Sequence, residues 1–211
     1  MKLSKIGWMM AVVACTLTLG ASAQAQTVTV DRCAGAKMRC VMGYTHICGV
    51  AGVEGQLKCY QTATLRGRFV DPVCINRTVD EILECFRAAE RRNVCRTLGD
   101  VFTINAKIEA FVLDVLDDVT PGFPYPAVNK CAANKQKEIA EATSAKLGCF
   151  EEAFRREPGI VATACLAQAQ TQFEYAWNRL GTNLGCSTND LAALTTKMND
   201  FVAEMVVTVE P

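Results

Sequence analysis

Apolar side chains recur every three or four residues along most of this 211-residue chain, which is the period of a helix that packs on one side. The segment near the C-terminus is the clearest case, and the apolar face there consists of Leu191, Leu194, Met198, Phe201, Val202 and Met205. The segment from Ile104 to Val115 repeats the pattern. Alternating strand patterns are nearly absent; the best is Thr27–Val30. The pattern therefore predicts an all-α fold.

Two further helices are predicted before each of these segments. In the C-terminal part they cover Ala132–Arg156, rich in the helix formers Ala, Glu and Lys, and Leu166–Leu180. The counterpart of the second one is Ile75–Phe86. The first helix of the N-terminal part contains Gly43, Gly49, Gly52 and Gly55. Because a glycine costs about 1 kcal/mol relative to alanine inside a helix, we expect that helix to be weaker or partly unwound.

The cysteines divide the chain into two similar parts. Gaps of 19, 15 and 21 residues separate Cys40, Cys59, Cys74 and Cys95, and gaps of 18, 16 and 21 separate Cys131, Cys149, Cys165 and Cys186. The same Asp, Lys and Phe spacing follows each set: Asp100, Lys107 and Phe111, then Asp190, Lys197 and Phe201. A period near 90 residues indicates one structural unit used twice. We predict repeats at 31–119 and 128–208, joined by a Pro-rich linker at 120–127.

The cysteine spacing also predicts disulfide pairs. Cys131 and Cys149 lie five helical turns apart and so on one face, and Cys165 and Cys186 lie at opposite ends of the next helix. Two antiparallel helices would then be stapled at both ends. The predicted nested pairs are 149–165 and 131–186, and by repetition 59–74 and 40–95. Each unit is thus an antiparallel helical hairpin, stapled by disulfides, plus a third amphipathic helix.

Three additional cysteines lie in the N-terminal part. Cys48 and Cys85 are each 11 residues from the cysteines nearest the turn, which places them at one height and favours a 48–85 pair. This leaves Cys33 as a candidate unpaired thiol. Since a sequence does not fix connectivity, a pair between Cys33 and Cys48 that frees Cys85 stays open.

The first 25 residues have the composition of a signal peptide. Two lysines precede a short apolar stretch, Trp8–Leu19, and small residues around Ala21–Ala25 suit signal peptidase. An alternative is a lipoprotein that is anchored through an acylated Cys15. Twelve cysteines in all favour an oxidising compartment. We therefore expect a secreted or periplasmic protein with no transmembrane segment after signal removal.

Charge and cysteine spacing disfavour several classes of partner. The chain carries 22 basic and 22 acidic residues, whereas nucleic-acid binding usually needs a basic surplus, so we expect no nucleic-acid partner. Structural zinc sites favour close C-x2-C pairs, but no two cysteines here are nearer than seven residues. We expect no metal and no cofactor. An unknown protein partner or self-association stays open.

Candidate catalytic chemistry is sparse. His46 is the only histidine, and the segment Tyr44–Cys48 is weakly similar to the histidine-before-cysteine arrangement of secreted phospholipases. Ile47 stands where those enzymes have an acidic residue. No G-x-S-x-G, P-loop or C-x-x-C motif occurs. The sequence therefore predicts a protein that is not an enzyme, with a hydrolase using His46 as the weaker alternative.

Four short segments of the C-terminal part resemble a family of exported bacterial proteins. The segments are Lys130–Ala133, Lys146–Phe150, Ala164–Ala167 and Gly185–Thr188. They are similar to cysteine-rich, Ala/Lys-rich helical repeat proteins of deltaproteobacteria-like bacteria, well over 130–207 and loosely over 40–119. That family has no assigned activity, so the resemblance implies an exported helical module without catalytic residues.

The leading interpretation is an exported, non-catalytic, disulfide-stabilised helical module with a structural or partner-binding role. A second interpretation is a carrier of a small apolar ligand or lipid. Its cavity would be lined by Phe102, Phe111, Phe173, Trp177 and Phe201.

Overall fold

The computed structural model describes residues 27–43, 51–124, 127–156 and 159–209, and within these ranges the chain forms seven α-helices and no β-sheet. The helices are α1 (Arg32–Met42), α2 (Gly52–Arg66), α3 (Pro72–Arg92), α4 (Val101–Val119), α5 (Lys130–Arg155), α6 (Thr163–Leu184) and α7 (Leu191–Val209). The all-α prediction is confirmed. The predicted signal peptide with Cys15, and the segment 44–50 with His46 and Cys48, lie outside the described residues.

Side-chain caps fix where the helices begin. The Asp31 carboxylate accepts hydrogen bonds from the backbone N–H groups of Cys33 and Ala34 at the start of α1. The Asn129 side chain accepts one from Ala132 at the start of α5. Such caps satisfy amide groups that have no partner inside the helix. Each of the two capping residues stands two positions before a cysteine.

The first helix of the N-terminal part is interrupted, whereas its counterpart α5 runs unbroken for 26 residues. Gly43 ends α1 with φ at 118°, and Gly52 begins α2 with φ at 60°. A Cβ atom on Gly52 would lie 2.1 Å from the carbonyl oxygen of Val41, so only glycine fits there. The glycine-rich segment thus makes two helices, in agreement with the predicted weakness.

One hydrophobic cluster of the described residues includes side chains from all seven helices. Helix α5 lies at its centre and packs along α1, α2 and α6. Fully buried members come from both halves of the chain, among them Met38, Leu57, Ile82, Ile108, Ile139, Trp177 and Met198. The helices on either side of the 120–127 segment therefore share one core.

Several contacts between the two halves are reciprocal. The backbone N–H of Asp31 donates to the Phe154 carbonyl at 2.9 Å, and that of Asn129 donates to the Thr64 carbonyl at 3.2 Å. Salt bridges join Lys107 to Glu204 and Lys197 to Asp114. Between them the rings of Phe111 and Phe201 stack with centroids 4.3 Å apart. Each half thus presents the same kind of contact to the other.

Five disulfides cross-link the described helices. They are Cys33–Cys95, Cys40–Cys85, Cys59–Cys74, Cys131–Cys186 and Cys149–Cys165. The predicted pairs 59–74, 131–186 and 149–165 are confirmed. The predicted 40–95 and 48–85 pairs are wrong, because Cys40 and Cys85 bond to each other. Cys33 is not an unpaired thiol, since it bonds to Cys95, and the alternative 33–48 pair is wrong for the same reason.

The error comes from counting residues across a helix that is interrupted. Cys33 lies in the first turn of α1, as Cys131 lies in the first turn of α5. Cys33 is 26 residues from Cys59, whereas Cys131 is 18 residues from Cys149. The interruption between α1 and α2 accounts for this difference of eight residues. Cys33 is therefore the counterpart of Cys131, and Cys40 lies two turns further along.

Candidate functional site

Each half buries a lysine four residues after its first cysteine. The Lys37 ammonium donates to both carboxylate oxygens of Asp100 at 2.7 and 2.8 Å and to the Thr97 carbonyl at 2.9 Å. It also lies 3.2 Å from a Glu90 carboxylate oxygen and 5.8 Å from the centre of the Phe86 ring. This cluster ties α1 to the end of α3 and the start of α4.

The second half builds a similar cluster from corresponding residues. Lys135 donates to Asp190 at 2.5 Å and lies 5.1 Å from the centre of a Trp177 ring. Within the described residues, Trp177 Nε1 and Asp190 Oδ1 are buried without a hydrogen-bond partner. In both halves a carboxylate compensates the buried ammonium, and burial of a charge needs such a partner. These two lysines therefore hold helices together.

A third buried lysine has different surroundings. The side chain of Lys146 in α5 is 4% exposed, and its ammonium donates to Gln170 Oε1 at 2.7 Å and to Asn199 Oδ1 at 2.5 Å. Both acceptors are neutral amides, and among the described residues no carboxylate forms a salt bridge with this ammonium. Burial lowers the pKa of Lys146, and the nearby negative charge of Glu174 opposes that change.

Lys146 lies in the floor of a groove between α6 and α7. The groove has a volume of about 1380 Å³. Polar side chains converge at one end: Lys146, Gln170, Glu174, Thr195 and Asn199. Toward the other end the lining is mainly apolar and includes Phe150, Val161, Leu166, Val202, Val206 and Val207. The groove is therefore amphipathic along its length.

The helices that line the groove set its dimensions. Twelve residues of α7 separate Thr195 at the polar end from Val207 at the apolar end, a rise of roughly 18 Å. Thr27 and Val28 border the apolar part, and the Val28 N–H donates to the Gly159 carbonyl at 2.8 Å. Ligand sites are commonly apolar clefts with a few polar groups that orient the ligand. This arrangement can accommodate an elongated apolar molecule with one anionic end.

The predicted aromatic cavity is wrong. Phe111, Phe173, Trp177 and Phe201 are buried in the shared core, while Phe102 is 70% exposed. None of the five lines the groove over Lys146. Helical period identifies residues that face a core but does not distinguish a filled core from a cavity.

The groove and its lysine were not predicted from the sequence. A signal was nevertheless available, because Lys146 follows Ile139 and Thr143 and precedes Phe150 at helical spacing on the buried face of α5. A lysine at such a position is rarely buried without a partner. Its partners, Gln170 and Asn199, lie on two other helices and carry no motif of their own.

Other candidate chemistry is limited in the part of the chain that the structure describes. No group of three His, Cys, Asp or Glu side chains there is placed to hold a metal ion. Among the same residues, no helix has the length and apolar character that crossing a bilayer requires. His46, the candidate catalytic residue, lies outside the described ranges.

Comparison of the chain with protein-family models, with curated proteins and with solved structures gives no match.

Proposed function

We propose that this protein is an exported, non-catalytic binding module that holds an elongated apolar molecule with an anionic end in the groove over Lys146. The five disulfides support an oxidising compartment, in which such bonds persist. They also fix the helices that border the groove, since Cys149–Cys165 joins α5 to α6 beside it. A pre-formed groove binds with a smaller loss of conformational entropy.

The buried ammonium of Lys146 is the observation that carries this proposal. Burial of a cation without a carboxylate costs free energy, and the two amide oxygens compensate that cost only in part. A ligand carboxylate at the polar end would supply the missing charge, while its hydrocarbon chain would cover the apolar wall. Glu174 and Asp200 also border the groove, so the carboxylate must bind next to Lys146 and not merely to a basic surface.

A titration with dodecanoate tests the proposal, with dodecylammonium as a probe of equal chain length and opposite charge. We expect dodecanoate to displace an environment-sensitive fluorescent fatty acid from the protein and dodecylammonium to fail. If neither the fluorescent probe nor dodecanoate binds, the carrier function is wrong and a structural or protein-binding role of the module takes its place.

Variants locate the binding site. Lys146→Gln keeps a polar side chain of similar length and should weaken dodecanoate binding at least about 10-fold, because a charge-assisted hydrogen bond is lost. Leu166→Gln should weaken it through the apolar wall. Lys130→Gln, which removes an exposed cation of the same helix outside the groove, is the matched control. Equal affinities of all three variants and the wild type would place binding elsewhere.

We further propose that the groove binds its ligand without transforming it. Its polar end combines a cation with two amides, Gln170 and Asn199, which suit the positioning of an anion. Mass spectrometry after prolonged incubation with a dodecanoyl ester should recover the intact ester. Hydrolysis that is lost in His46→Ala would instead establish the alternative hydrolase.

A further inference from the structure

A second surface of the molecule combines exposed cations with exposed apolar groups. It is a cleft of about 580 Å³ between α2 and α3, at the end where the two helices meet. Four cations line it, together with two apolar side chains: Lys58, Arg66, Arg68, Arg77, Phe69 and Val73. These six residues are termed the basic tip below.

Helical spacing and a disulfide bring the basic tip together. Lys58 and Arg66 lie eight residues apart on α2, and Val73 and Arg77 lie four apart on α3, so that each pair shares one helix face. The Cys59–Cys74 bond joins the two helices beside the cleft. This disulfide therefore holds the two helices, and the cations that they carry, next to each other.

The cations of the basic tip are not used to stabilise the fold. None of the four has a salt bridge or side-chain hydrogen bond to another described residue. Two carboxylates, Asp71 and Glu81, also line the cleft, but the first of these caps α3 through the N–H of Val73. A net positive charge remains available to a partner.

The second half shows that the architecture does not require two of these cations, Lys58 and Arg77. When the sequences of the two halves are aligned on Cys59 and Cys149, Gly148 corresponds to Lys58. When they are aligned on Cys74 and Cys165, Gln168 corresponds to Arg77. A similar stapled hairpin forms there without these two charges, while Arg156 stands at the position of Arg66.

The apolar members of the basic tip are unusually exposed. Phe69 is 67% and Val73 is 71% exposed, and Leu65 in the last turn of α2 is also exposed. Cations that attract anionic headgroups, next to apolar side chains that enter the headgroup region, are the combination by which proteins bind bilayer surfaces. We propose that the basic tip docks the protein on the surface of a bilayer that contains anionic phospholipid.

A bilayer fits the observations better than an acidic peptide. The apolar side chains are concentrated where α2 ends and α3 begins, with the cations around them, so that one end of a helical hairpin meets the partner. A bilayer interface accepts both kinds of group over a broad area, whereas an acidic peptide would leave Phe69 and Val73 in water. The inference does not depend on the Lys146 groove.

Vesicle co-sedimentation tests the basic tip. The disulfide-intact protein is mixed with vesicles of phosphatidylcholine alone or of phosphatidylcholine with phosphatidylglycerol. We expect binding only to the anionic vesicles, and weaker binding at high salt because screening shortens the range of the attraction. The double variant Arg66→Gln/Arg68→Gln should bind about 25-fold more weakly, since each cation near an anionic bilayer contributes about fivefold.

Matched controls separate the tip from the general surface. Arg91→Gln/Arg92→Gln removes the same charge from the other end of α3, and Phe102→Ser removes an equally exposed phenylalanine from α4; both should bind like the wild type. Phe69→Ser should reduce binding.

Three results would overturn the inference. One is equal loss of binding in the tip and control variants, and another is binding that does not depend on phosphatidylglycerol. The third is retention of poly-glutamate by the wild type together with no sedimentation on anionic vesicles, which would identify an acidic polypeptide as the partner.

Discussion

Three lysines are buried among the residues that the structure describes, and they differ in what compensates their charge. Lys37 and Lys135 bind the carboxylates of Asp100 and Asp190. Lys146 instead binds two neutral amides. Buried ion pairs of this kind hold helices in register, whereas a buried cation that lacks a carboxylate can bind an anion from outside. The residue environments thus separate structural lysines from the candidate ligand-binding lysine.

Removal of Lys37 should be strongly destabilising. The Lys37→Ala variant leaves Asp100 and Glu90 without their cation, and breaking a buried ion pair in this way typically costs about 3–5 kcal/mol. Chemical denaturation with intact disulfides measures the change. The control Lys107→Ala breaks a more exposed salt bridge to Glu204 and should cost less than about 1 kcal/mol. Equal costs would contradict a structural role for the Lys37 cluster.

The lowered pKa of Lys146 should make the free energy of unfolding depend on pH in the alkaline range. The pKa of Lys146 in the folded state lies below the ordinary value of 10.5. At pH values between this folded-state pKa and 10.5, the unfolded chain therefore binds more protons than the folded chain. The free energy of unfolding should then rise with pH in that window. Comparison of the wild type with Lys146→Gln isolates this contribution. A difference between them that does not change with pH would contradict the lowered pKa.

At the scale of elements, most of the helices can be predicted from the sequence, because the helical spacing of apolar residues and the high content of helix-forming residues occur in the same segments. Helices α5, α6 and α7 match the predicted segments. The interruption between α1 and α2 depends on Gly43 and Gly52, whose backbone angles suit a break, but composition alone does not locate such a break. The predicted pairing of Cys40 with Cys95 is wrong for this reason.

The sequence contains another pattern, which aligns the two halves of the chain better than the cysteine gaps do. Asp31, Cys33 and Lys37 have the same spacing as Asn129, Cys131 and Lys135. This pattern joins a helix cap, a disulfide and a buried ammonium, and it aligns the two halves correctly. Cysteine gaps alone do not, because the gap from Cys40 to Cys59 includes the residues between the end of α1 and the start of α2.

The Cys40–Cys85 bridge should stabilise the fold without being required for it. Glu138 and Ala176 occupy the corresponding positions in the second half, so that half forms without such a bond. We expect Cys40→Ala/Cys85→Ala to fold and to lose about 3–4 kcal/mol by the chain-entropy model. Denaturation monitored by circular dichroism measures the loss. An unfolded variant would show that α1 depends on this bond.

At the scale of the molecule, the two halves interlock through reciprocal contacts, as the subunits of an isologous dimer do. All five described disulfides stay within one half or the other, so the described helices of the two halves are held to each other by packing, hydrogen bonds and salt bridges. The tandem cysteine pattern predicts two similar units. The shared core could not be predicted, because it depends on which helix faces meet.

Cleavage between the halves should not separate them. A protease site inserted after Gly122 can be cut in the folded, oxidised protein. We expect both fragments to elute together in gel filtration, because the core and the Phe111–Phe201 contact persist. Separate elution under native conditions would mean that the halves are independent modules.

The central claim is that Lys146 binds the anionic end of a ligand, and its titration tests this most directly. NMR of the lysine side chains, with the Lys146 signal assigned by its loss in Lys146→Gln, gives the pKa of this ammonium in the free and dodecanoate-bound protein. The account predicts a pKa below 10.5 in the free protein and a clear increase when dodecanoate binds, because a carboxylate favours the charged form. An unchanged Lys146 titration in protein saturated with dodecanoate would contradict it.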